Sequence, residues 1–125
     1  MLRRRPMVPT IPARDLARAR AWYADKLGIT THDDEPEALL YQSGGDRLFL
    51  LFFSSAAGTA QHQLAAWVVE DLEAEVAQLR RRGVVFEEYD SPGLRTVDGV
   101  ATTPAGKAAW FKDSEGNVLT MTQVL

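Results

Sequence analysis

The chain has two histidines, His32 and His62, and no cysteine in its 125 residues. Thiolate nucleophiles, thiolate metal sites and disulfides are therefore excluded together. An imidazole that titrates near neutral pH serves as a general acid or base, a hydrogen-bond donor or a metal ligand. His62 opens a predicted strand and stands two residues before Leu64, so by alternation the two share a face. Two readings follow for it: an acid/base group acting on a bound molecule, or a strand-end side chain bonded to the neighbouring connector. His32 stands beside Asp33 and Asp34 in a predicted acidic turn, where solvent exposure is the simpler account. Glu87, Glu88 and Asp90 do not read as a carboxylate pair, because adjacent strand residues point to opposite faces. Gly44-Gly45-Asp46 precedes a strand and lacks the helix N-terminus that cradles phosphate. No Gly-x-Ser-x-Gly elbow supports a serine nucleophile.

The elements that must position these residues come as a repeat. IPARDLARARAWYADKLGI (residues 11–29) is echoed by VVEDLEAEVAQLRRRGV (residues 68–84). Each starts on an apolar strand end, continues through Asp15-Leu16 or Asp71-Leu72, and closes an amphipathic run at Gly28 or Gly83. Asp caps a helix by accepting an orphan N–H, and Gly enters the left-handed region past its end. Leu16, Ala19, Tyr23 and Leu27 line one helix face, and Leu72, Val76 and Leu79 line the other copy. Strands are predicted over residues 7–11, 29–32, 38–42 and 48–53, then 62–69, 84–89, 97–102, 107–112 and 118–124. Pro9 and Pro12 place the first strand at a sheet edge. The reading is α+β, a single domain of two tandem β-α-β-β-β modules, residues 7–53 and 62–124, joined by a connector over 54–61.

LFLLFF (residues 48–53) is apolar on both faces and needs cover on both, which predicts a homodimer. Trp67 has the opposite parity to Leu64 and should face the second helix. Tyr41 and Trp110 lie on strands whose facing the pattern does not set, so either can line a pocket. The net charge of −3 gives no reason to expect nucleic acid, and no apolar run is long enough to span a membrane. Absence of cysteine and of a signal-peptide pattern fits a cytoplasmic protein.

The ordered set of IPARDLARARAWYADKLGI, VVEDLEAEVAQLRRRGV and AAWFKDSEGNVLTM (residues 108–121) resembles the vicinal oxygen chelate superfamily of glyoxalases, bleomycin-resistance proteins and extradiol dioxygenases. The resemblance implies paired modules curled into a half-open barrel around a small molecule. It also implies a divalent metal held from four strands. Carried over by spacing, the metal positions fall on Val8, Phe49, Leu64 and Thr120, with the internal match of Gly45 to Gly116 placing Phe49. Three hydrocarbons and one hydroxyl do not make a divalent site, so neither metal nor other cofactor is expected. What is left is an apolar concavity, with Val8, Thr10, Phe49, Leu51, Phe53, His62, Leu64, Thr120 and Thr122 as candidate ligand contacts. Three functions stay open. They are metal-independent binding of a small, mainly apolar molecule, a metal-free lyase or isomerase using His62, and a non-catalytic dimerisation module.

Overall fold

The computed structural model describes residues 1–35 and 37–124, the side chains of residues 32–35 excepted. The expected exposure of His32 therefore lies outside the described residues. Both helices form where the repeat places them. In the first, α1 (Leu16–Trp22), the Asp15 carboxylate accepts the Arg18 N–H at 3.0 Å. The helix loosens into a π turn (Tyr23–Leu27) and stops at Gly28, whose φ of 70° suits a residue without Cβ. In the second, α2 (Leu72–Arg81), Asp71 accepts the Ala74 N–H at 3.2 Å.

The first sheet runs β1 (Thr10–Ala13), β4 (Leu48–Phe53), β3 (Ala38–Gln42), β2 (Thr31–Glu35), with β1 parallel to β4. Beyond a connector, the second sheet runs β5 (Gln63–Val68), β10 (Val118–Val124), β9 (Gly106–Lys112), β8 (Ala101–Thr103), again with a parallel first pair. The mixed α+β class and the repeated order are as the sequence predicts. β1 is an edge strand, in keeping with Pro12, which has no N–H to donate. Several local expectations fail: the first strand falls on residues 10–13 and not 7–11, and the strand expected over 97–102 is reduced to β8. Residues 33–35 continue β2 instead of turning away from it. Residues 84–89 make only an isolated bridge, Phe86 to Phe111, and lead into a small hairpin of β6 (Asp90–Ser91) and β7 (Leu94–Arg95). This hairpin is an insertion that the first module lacks.

Each sheet has a helix-covered face and an open face, and the two covered faces meet in one core. Ile11, Leu39, Tyr41, Phe49 and Leu51 from the first sheet join Ala109, Phe111, Leu119 and Met121 from the second. A closed circuit of rings ties them together. Trp22, Tyr23, Tyr41, Phe49, Trp67 and Phe111 follow one another at centroid separations of 4.9 to 6.4 Å. Trp67, expected to face the second helix, packs half-buried against this core on Phe49 and Phe111. With both covered faces turned inward, the two open faces look outward from the chain.

The hinge between modules is polar and buried. The turn at residues 113–117, in the last hairpin, docks on the start of α1. Glu115 accepts the backbone N–H groups of Arg14 and Asp15 at 2.9 Å and pairs with Arg18. Asp113 accepts the Tyr23 hydroxyl at 2.7 Å together with two backbone N–H groups. Asn117 donates to the Pro12 carbonyl at 2.7 Å and accepts from the Gly58 N–H. In Asp-x-x-Gly-Asn, then, these side chains join the two halves.

Candidate ligand-binding faces

The facing of β4 differs from the expectation. Ladder partners share a face, and Thr10 pairs with Leu50, Leu40 with Leu50, and Tyr41 with Phe49. Phe49 and Leu51 are consequently buried against α1 and Tyr23, on the covered face, and do not stand with Thr10. Phe53 follows the same parity at the strand end, where it is 60% exposed. The open face of the first sheet is built from Thr10, Leu40, Leu48, Leu50 and Phe52 instead.

The slip has a physical origin. Both hairpins have five-residue connections, 43–47 between Gln42 and Leu48 and 113–117 between Lys112 and Val118. Leu48 thus matches Val118, and Leu50 matches Thr120. The ladders agree, since Thr10 faces Leu50 as its repeat counterpart Ala66 faces Thr120. The left-handed glycines sit at different places in the two turns, Gly44 and Gly45 in one and Gly116 in the other. Matching glycine to glycine shifts the register by one.

On the second sheet, Gln63, Ala66, Val118, Thr120, Thr122 and Trp110 share the open face, whereas Leu64, expected among them, has no ladder partner and packs against the core. Thr120 is fully buried, and its hydroxyl is spent on the Ala109 carbonyl at 2.9 Å. Trp110 is half-buried, and its indole N–H donates to the Gln63 side-chain carbonyl at 2.8 Å. Tyr89, just before the inserted hairpin, packs edge-on against Trp110 with centroids 5.5 Å apart. A depression of about 340 Å³ opens beside them, with Leu94, Ala101, Ala108, Trp110 and Thr122 among its walls. A second cleft, of about 500 Å³, lies where the edges of β1 and β5 approach, between Pro9 and residues 65–68. The structure thus answers the open question of the two aromatics: Tyr41 is core and Trp110 lines an open face.

Val8 and His62 fall just outside β1 and β5, and both are exposed. The Nδ1 atom of His62 lies 3.0 Å from the carbonyl oxygen of Gln63, a backbone contact within its own strand end and not with the connector. No carboxylate orients the ring among the described residues, so the arrangement that makes a histidine a directed base is not assembled here. The corrected family metal positions are Val8, Leu50, Leu64 and Thr120. Their donor set does not fit a divalent ion, because only Thr120 has a side-chain oxygen, a single neutral hydroxyl that is fully buried and donates to the Ala109 carbonyl. Among the described residues no group of three His, Asp or Glu side chains gathers elsewhere to replace it. No described helix is long and apolar enough to cross a membrane.

Gln63, Tyr89 and the inserted hairpin are absent from the sequence-based site. A β-bulge brings Gln63 to Trp110, and nothing in the local pattern announces it.

A comparison with curated proteins finds no match. Among solved structures, the chain is similar to TnmS3, an antibiotic binding protein from Streptomyces sp. CB03234. The two share 25% identity over 96% of this chain and 97% of that one, with a TM-score of 0.72. A bleomycin-binding protein complexed with bleomycin shares 21% identity over 96% and 98%, with a TM-score of 0.68. Lactoylglutathione lyase from Agrobacterium tumefaciens shares 19% over 96% and 93%, also at 0.68. The family model described as Glyoxalase/Bleomycin resistance protein/Dioxygenase superfamily matches residues 7–121, and the chain belongs to that superfamily.

Proposed function

We propose that the protein is a metal-independent binder of a small, mainly apolar molecule, working as a homodimer. The observation that carries this reading is the outward aspect of the two open faces. One chain cannot close them on each other, because their covered faces already share the core. A second copy can. Its second sheet laid over the first sheet of its partner makes a cavity with an aliphatic wall of Leu40, Leu48 and Leu50, bordered by Phe52. The opposite wall has Trp110, Ala66 and Thr122. Two such cavities form per dimer. An apolar enclosure with few polar groups suits a hydrophobic ligand, at roughly 25 cal/mol per Å² of apolar surface removed from water. The likeness to an antibiotic binding protein at 25% identity is in keeping with a binding role.

The test is light scattering at micromolar concentration with calorimetric titration of metal-free bleomycin and of anilinonaphthalene sulfonate as probes. A dimer that binds an apolar probe at one site per chain, unaffected by chelator, is expected. A monomer, or a dimer that binds neither probe, overturns the reading.

A further inference from the structure

We infer that Gln63 is a positioning residue for Trp110, and that the pair forms the floor of the pocket over Thr120; this rests on the reading that the open face of the second sheet takes the ligand. Trp110 stands on β9 opposite Thr120, and Gln63 stands on β5 opposite Val118, with β10 running between them. The indole N–H reaches the Gln63 Oε1 at 2.8 Å, so the bond crosses β10 above Val118 and Thr120. Both are buried, although their face has no helix to cover it.

The backbone is built for this contact. Val118 pairs with Gln63 but Leu119 pairs with Ala65, so Leu64 is the extra residue of a bulge. A bulge re-aims the side chain beside it. In a regular strand Gln63 would share the parity of Ala65 and Trp67, and Trp67 points into the core. On its other side the indole meets the edge of Tyr89. Tyr89 is itself fixed by two hydrogen bonds exchanged with Thr96, its N–H to the threonine hydroxyl at 2.8 Å and the Thr96 N–H to its carbonyl at 2.9 Å. The ring is held on two sides with its single polar atom tied off. A tryptophan has only that one donor. The floor therefore presents ring surface and no indole hydrogen bond, and it hides the one hydroxyl at the family metal positions.

Gln63→Met removes the acceptor at similar volume, whereas Gln63→Glu keeps one. With fluorotryptophan incorporated and the Trp110 signal assigned from Trp110→Phe, fluorine NMR of the free protein reads the ring directly. The Trp110 resonance should shift and broaden in Gln63→Met and stay in place in Gln63→Glu, while those of Trp22 and Trp67 stay put in both. Binding of anilinonaphthalene sulfonate should weaken about tenfold in Gln63→Met and be retained in Gln63→Glu. A Trp110 resonance untouched by Gln63→Met overturns the positioning role whatever happens to binding. A wild-type protein that binds no probe while Trp110 still responds keeps the positioning role and overturns the ligand floor.

Discussion

Arg18 and Glu115 are joined by an ion pair of 2.9 Å between the first helix and the last hairpin turn. The glutamate side chain is fully buried and the arginine half-exposed. The same carboxylate accepts two backbone N–H groups at the helix start and the Ser114 hydroxyl. Together with Asp113 and Asn117, this side chain ties the second module to the first.

Glu115 should make stability pH-dependent. Burial alone would raise its pKa, but the hydrogen bonds from Arg18, the Asp15 N–H and Ser114 outweigh it and hold the group at about 2. An ordinary glutamate titrates near about 4.3. Because the folded value is the lower one, the contribution is fully present above pH of about 4.3 and is lost as pH falls through about 2. Glu115→Gln should cost about 3 kcal/mol at neutral pH, and its urea-denaturation curve should converge on that of the wild type near pH 2. Parallel curves across this range would remove Glu115 as the source.

Much of this fold can be read from the chain, because its signals are local. Asp15 and Asp71 cap their own helices, and Gly28 and Gly83 end them. The candidate site is less legible for three separate reasons. Matching glycines misplaces the facing of β4 by one residue, because the two five-residue turns carry their left-handed glycines at different positions, whereas matching turn lengths does not. Gln63 reached Trp110 only through a bulge. Asp113 and Glu115 look like residues of a turn, and their partners Tyr23 and Arg18 lie some ninety or more positions away.

Two buried tyrosines should respond in opposite ways. Tyr23 donates to Asp113, and burial followed by that carboxylate pushes its pKa upward. Tyr23→Phe should cost about 1–2 kcal/mol in chemical denaturation, since a buried carboxylate loses a donor. The Tyr41 hydroxyl is buried with no partner among the described residues, and burial pushes it up to about 12. Tyr41→Phe should be neutral or stabilising by up to about 1 kcal/mol, because it removes an unsatisfied polar atom. A cost for Tyr41→Phe equal to that for Tyr23→Phe would contradict this contrast.

Divalent metals should find no site at the family position. Titration with zinc, nickel and manganese should show no stoichiometric binding, and chelator should leave the melting temperature unchanged. Since Thr120 lies beneath Trp110 and its hydroxyl already serves Ala109, Thr120→Ala should not alter probe binding beyond about twofold. A tightly held equivalent of metal lost on His62→Ala would place a site where the corrected positions do not.

Cavities formed across two chains make a prediction that cavities within one chain do not. Leu50→Asp spoils the aliphatic wall and Trp110→Ala spoils the aromatic one, so each homodimer should lose probe binding by more than about tenfold. Both side chains lie on open faces, and far-UV circular dichroism should show that each variant keeps its fold. In a heterodimer carrying one variant per chain, one cavity combines both damaged walls. The other combines the intact first sheet of the Trp110→Ala chain with the intact second sheet of the Leu50→Asp chain. A heterodimer purified through two different tags should therefore regain wild-type affinity at half the wild-type capacity. If the two sheets of a single chain made the cavity, every cavity in that heterodimer would contain one damaged wall, and mixing would restore nothing.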